Sequence, residues 1–157
     1  RNRTISLAKT NYITICDSDD IVHKDRLKIV YNLMENTDCL SLLHGFIRPE
    51  DKDKDKDKKN KNQILNDWKI NENINIYNGI YLYDKMITTE GTQIHLSLDC
   101  HHAYITFQNK IFEEVKQNTS ESLYRYEDSQ FVRDILKHFG RNKNTMIFYE
   151  APLVKYF

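Results

Sequence analysis

The sequence predicts an α/β domain, a mixed sheet flanked by helices, and three observations carry that prediction. A β-branched and aromatic run at 12–16 stops abruptly in Asp17-Ser18-Asp19-Asp20, the pattern of a buried strand whose carboxyl end empties into a cleft. A helical stripe follows at 25–35, where Leu27, Val30, Leu33 and Met34 recur at helical spacing. A second stripe at 127–139 carries Phe131, Val132, Ile135, Leu136 and Phe139, and strand-like runs lie between the two.

Taken in order, residues 1–9 set Ile5, Leu7 and Ala8 among polar side chains and read as the last turns of a helix feeding the first strand. Ile21-Val22-His23-Lys24 leads into the helix at 25–35; Asp25 suits the dipole of its first turn, and Asn36-Thr37-Asp38 ends it. Residues 39–47 are apolar enough for a second core strand. Pro49 and the tract at 50–62 then break the pattern. From Asp51 to Asn62 that tract alternates Asp and Lys, buries no apolar surface and cancels most of its own charge, so a solvated, mobile insertion without a binding role is expected. Between 63 and 90, Ile74, Ile76, Ile80 and Leu82 alternate in short runs and predict small strands or irregular structure. Ala103-Tyr104-Ile105-Thr106-Phe107 is strand-like, Ile111, Phe112 and Val115 mark a short amphipathic helix at 109–116, and a polar loop covers 117–122. The helix at 127–139 stops at Gly140, and the tail offers strand-like runs at 145–149 and 152–156 on either side of Ala151-Pro152.

The chain of 157 residues suits one domain with a proper core. It opens on Arg-Asn-Arg-Thr rather than Met, which predicts a fragment of a longer protein. Lys plus Arg (23) balance Asp plus Glu (23) with no basic cluster, which argues against a dedicated nucleic-acid binder, and no apolar run approaches membrane-spanning length. Cys16, Cys39 and Cys100 are odd in number and form no C-x-x-C pair, so neither a disulfide framework nor a structural zinc site is expected. A reducing compartment fits, the cytoplasm or the cytosolic face of a membrane.

The residues that carry chemistry follow from the first strand. Asp17, Asp19 and Asp20 repel one another unless something positive lies between them, and a divalent cation is the simplest candidate. Oxygen ligands select Mg²⁺ or Mn²⁺ over zinc. The plainer reading is a polar turn with a helix cap, but a turn alone needs no three acids after a buried strand. An EF-hand is excluded, because its fifth loop position would be Ile21 and its glycine position Val22. Glu127-Asp128 opens the last helix, where capping and the dipole explain the acids as well as a general base does; as a base, Asp128 accepts the proton of a substrate hydroxyl. Cys100-His101-His102 do not easily converge on one ion, since consecutive strand residues face opposite ways, whereas His101 or His102 can face a polar cleft and touch substrate. His23, His44, His95 and His138 read as surface or partly buried residues, and Trp68 as a packing residue.

Arg1-Asn2, then Ala8, then Tyr12-Ile13-Thr14-Ile15-Cys16-Asp17-Ser18-Asp19-Asp20, taken as one unit, resembles the family 2 glycosyltransferases of GT-A fold. Tyr104-Ile105-Thr106-Phe107-Gln108-Asn109-Lys110-Ile111-Phe112-Glu113-Glu114-Val115 resembles that family's acceptor-side strand and helix. Glu127-Asp128-Ser129-Gln130-Phe131-Val132-Arg133 resembles its Glu-Asp motif at a helix start, and Pro152-Leu153-Val154-Lys155-Tyr156 its closing strand. The resemblance implies a GT-A-like, Rossmann-like sheet in a partial glycosyltransferase domain over 1–157, N-terminally truncated, with the Asp-Lys insertion at 50–62. It implies transfer from a nucleoside-diphosphate sugar to a hydroxyl of a glycan, protein or lipid acceptor, with inversion. Arg1, Asp17, Asp19 and Asp20 would face the donor, the three aspartates with Mn²⁺ or Mg²⁺; Asp128 would be the base, with Glu127 and His102 on the acceptor side. The family's nucleotide-recognition half, expected to precede Arg1, is not in the sequence. No Gln-x-x-Arg-Trp motif and no membrane helix are present, so likeness to the processive polysaccharide synthases is weak.

Two other readings compete. The strand ending Asp17-Ser18-Asp19-Asp20-Ile21 also approximates the Asp-x-Asp-x-Thr/Val motif of haloacid-dehalogenase-like phosphatases, with Asp17 as nucleophile and Asp19 as acid and base, but Ile21 stands where Thr or Val belongs. A degenerate transferase that binds glycans or partners without catalysis is the non-enzymatic alternative.

Overall fold

A computed structural model describes residues 2–48, 66–87, 104–116 and 127–155. The Asp-Lys tract, Cys100, His101, His102, Arg1 and the loop at 117–122 lie outside the described residues. Helix α1 (Asn2–Ser6) feeds β1 (Tyr12–Thr14), and β2 (Ile21–Val22) precedes α2 (Arg26–Thr37). There follow β3 (Ser41–Ile47), β4 (Ile76–Tyr77), α3 (Gly79–Met86), β5 (Thr106–Gln108), α4 (Ile111–Glu114), α5 (Glu127–Phe139) and β6 (Met146–Lys155).

These strands form one mixed sheet in the order β1-β5-β3-β6-β2, with β4 also on β6. Only β3 and β6 run parallel among the described pairs. Alternation along β3 and β6 sends Leu43, Met146 and Phe148 to one face and Leu42 and Ile147 to the other, and each face holds its own core. The first core takes Ile5 of α1, Leu82 and Met86 of α3, Ile111 and Phe112 of α4, and Phe131, Val132, Ile135 and Leu136 of α5. The second takes Val30 and Met34 of α2. This is the expected α/β layering.

The α2 stripe has the expected period but another phase. Arg26, Val30 and Met34 are buried one turn apart, whereas Leu27 is 63% exposed. Asp38 ends α2 in the left-handed region at φ 48°, which a short polar side chain tolerates. Residues Ile80 and Leu82, whose alternation suggests small strands or irregular structure, lie instead in α3. The Asn78 side chain decides this by accepting from the Ile80 and Tyr81 amides at 3.0 and 3.1 Å, and Leu82 and Met86 then fall one turn apart against the core. Gly140, at φ 75°, stops α5 as expected. The two tail runs are one strand, β6, whose pairing with β3 shifts register between His44 and Ile47.

Gly45 lies at that shift. A Cβ there would stand 2.5 Å from the Glu150 carbonyl oxygen, a backbone atom that cannot move aside cheaply. Gly45→Ala is therefore expected to lower stability by about 1–3 kcal/mol, read as a fall in urea midpoint. An unchanged midpoint would show that β3 and β6 separate freely at this point.

Candidate active site

Strand β1 runs toward the acidic turn, and antiparallel β5 brings its amino end to the same place: Thr14 pairs with Thr106, and the Ile15 amide donates to the Ile105 carbonyl at 3.1 Å. The register of β3 on β5, and of β6 on β3, sets the carboxyl ends of β3 and β6 at this edge too. Because β1 is at one side of the sheet and β2 at the other, residues 15–20 cross the strands' carboxyl edge. Open α/β sheets bind ligands outside such an edge.

Within the crossing segment, the Asp20 amide donates to the Asp17 carbonyl at 3.4 Å. Asp19 is exposed, and Asp17 and Asp20 are half-buried. The expected convergence of three carboxylates is not seen: among the described residues no three His, Cys, Asp or Glu side chains gather as a metal group. Asp20 instead accepts from the Tyr104 hydroxyl at 2.5 Å. The donor chemistry still fits Mg²⁺ or Mn²⁺, because such ions take one or two protein carboxylates and complete their shells with water and phosphate oxygens.

Beneath the turn lies an interior that the sequence reading missed. Arg26 is 2% exposed. Its Nη2 donates to the Ile15 carbonyl at 2.9 Å and its Nε to His44 Nε2 at 2.8 Å. His44, expected to be a surface or partly buried residue, is fully buried, and so is Tyr104. The His44 Nδ1 lies 2.8 Å from the Gly45 carbonyl and must donate to it, which leaves Nε2 to accept from Arg26 and fixes a neutral ring. Burial, and then the Arg26 charge, push His44 down to about 3. The His44 and Tyr104 rings are stacked 5.7 Å apart and 5° from parallel. Burial, and then its bond to Asp20, push the Tyr104 hydroxyl up, so it stays a donor. Burial also pushes the Cys16 thiol up, with Arg26 opposing and the three neighbouring carboxylates adding, so this side chain is a poor nucleophile.

His23 is also buried, 4% exposed, where the sequence suggested a surface or partly buried place; its Nε2 is 3.0 Å from the Trp68 carbonyl and its Nδ1 accepts from the Asp25 amide at 3.1 Å. Trp68 packs edge-on against it and donates to the Pro152 carbonyl at 2.8 Å, the expected packing role.

Asp128 is half-buried in the first turn of α5, and Glu127 begins that helix. One turn on, Phe131 meets Phe107 edge-on at 5.4 Å, and Phe107 is the register partner of Ile13. The start of α5 is thus seated over β1 and β5, the pair of strands beside the acidic turn. The clue to the buried interior was available only in the α2 pattern, where Arg26 keeps step with Val30 and Met34.

Among the described residues no helix is long and apolar enough to cross a membrane. Residues 1–116 match the family model described as Glycosyl transferase family 2. A curated relative, Glycosyltransferase GlyG of Streptococcus pneumoniae serotype 4 (strain ATCC BAA-334 / TIGR4), is 25% identical over 166 residues, which cover 90% of this chain and 55% of the relative. The chain spans about half the length of the curated relative it matches.

Proposed function

The chain belongs to glycosyl transferase family 2, and we propose from this that it is part of a domain that moves a sugar from a nucleoside-diphosphate sugar to an acceptor hydroxyl, with inversion and the help of a divalent cation. The observation that carries the reading is the acidic turn laid across the carboxyl edge of the sheet, with Asp19 exposed on it. Asp19 and Asp17 would hold the cation, and Asp20 would complete the donor side from its bond to Tyr104. When bound, the cation offsets the charge on the departing nucleoside diphosphate. Asp128 takes the proton as the acceptor oxygen bonds to the anomeric carbon, while the carbon–oxygen bond to the diphosphate breaks on the opposite face and its electron pair leaves with the phosphate. No covalent intermediate is needed, which gives inversion. Glu127 and His102 serve the acceptor, and Arg1 the donor, on the family likeness. Family membership displaces the phosphatase reading, in which Asp17 would attack phosphorus.

Thermal shifts of the full gene product test this with UDP, GDP and CMP, with and without Mn²⁺. One nucleotide is expected to stabilise only with metal, by about 2.7 kcal/mol at a hundredfold excess over its Kd, and Asp19→Ala is expected to abolish the gain. A folded protein that no nucleotide stabilises would overturn the reading.

A further inference from the structure

Arg26 occupies a core position that an aliphatic residue would fill without difficulty: it is in phase with Val30 and Met34 on the face of α2 turned to the sheet. A buried charge is costly unless its bonds repay the lost water, and here both hydrogen-bond acceptors, His44 and the Ile15 carbonyl, are neutral. Core packing therefore does not account for it. Its contacts do have a common target. The Ile15 carbonyl is the entry to the crossing segment at 15–20, and Asp20 is its exit. Arg26 holds the entry directly, and reaches the exit through His44, the stacked Tyr104 ring and the Tyr104 hydroxyl.

We propose that Arg26, His44 and Tyr104 are positioning residues that clamp the acidic turn from beneath, keeping Asp20 on Tyr104 so that Asp17 and Asp19 are presented to the cation-bound diphosphate of the donor. The inference rests on the glycosyl-transfer reading. None of the three need touch substrate. The clamp fixes both ends of a segment that, past the bond of the Ile15 amide to Ile105, crosses the sheet outside any strand between β1 and β2. It also preorganises the turn, so that donor binding does not have to order it.

Tyr104→Phe is the deciding variant, because it keeps the ring, its burial and its stacking on His44, and removes only the hydroxyl that holds Asp20. Its affinity for the nucleotide that stabilises the wild type is measured by calorimetry on the full gene product across a range of Mn²⁺ concentrations, with the thermal midpoint recorded alongside. Affinity is expected to fall about tenfold, the usual effect of losing a hydrogen bond to a charged group, and the Mn²⁺ requirement to rise while the midpoint moves little. Arg26→Met is expected to weaken binding in the same sense, and Arg26→Lys, which can reach one acceptor of the two, to restore part of it. A purely structural role lowers the midpoint and leaves the affinity and Mn²⁺ requirement of the folded protein as in the wild type; that result overturns the clamp alone. A wild type that binds no nucleotide with any metal overturns the clamp together with the transfer reading.

Discussion

Replacing Asp128 by Asn is expected to lower turnover by about 10²–10⁴-fold, the usual contribution of a positioned general base, while nucleotide affinity and thermal midpoint stay near those of the wild type. The separation of effects follows from where the side chain is placed. Helix α5 is held by Phe131, Val132, Ile135 and Leu136, all buried in the core on one face of the sheet, so the first turn keeps its place without the carboxylate. Asn keeps the shape and the capping capacity and loses only basicity. The measurement is kcat and KM for sugar transfer, with nucleotide affinity measured separately. Asp134→Asn on the same helix, where Gln130 Nε2 donates to the carboxylate at 2.7 Å, is the control and is expected to leave turnover unchanged. Equal losses in both variants would assign the effect to the helix, and full activity in Asp128→Asn would remove the base from the mechanism.

What the sequence made legible is what short-range patterning controls. β1 and its acidic end follow from a β-branched run and its abrupt stop, and α5 from a stripe ended by Gly140. The period of α2 is equally local, but its phase is not: Arg26 displaces Leu27 from the buried face only because His44, 18 residues on, and the Ile15 carbonyl receive its N–H groups. The bond between Tyr104 and Asp20 joins residues 84 apart, beyond the reach of any spacing argument. Helix α3 is not legible in the sequence because Ile80 and Leu82 alternate over too few positions to separate the two periods, and the arbiter is a cap, Asn78, outside the apolar run. In the site, then, the exposed acids were readable as chemistry, while the groups that hold them looked like ordinary helix, histidine and strand residues.

The buried part of that arrangement makes stability depend on pH in a stated direction. His44 has an ordinary value of 6.5 and is pushed down to about 3 in the folded chain, by burial and by the Arg26 charge. Above 6.5 the ring is neutral in both states and the stabilisation is fully present. Between 6.5 and about 3 the unfolded chain binds a proton that the folded chain excludes, so stability falls as pH falls through that window. The slope for one such group is about 1.4 kcal/mol per pH unit, so about 2 kcal/mol is lost between pH 7.5 and pH 5. Protonation would also turn Nε2 from acceptor to donor against Arg26 Nε, and would set a second positive charge beside the guanidinium. Urea midpoints of wild type and His44→Gln at pH 7.5 and pH 5 isolate the effect, because the other titrating groups are common to both proteins. Gln offers Arg26 an acceptor without a proton to gain. The wild type is expected to lose about 2 kcal/mol more than the variant over that interval. Parallel losses would mean that His44 accepts a proton inside the folded chain, and the buried acceptor that seats Arg26 under the acidic turn would then fail at the same pH.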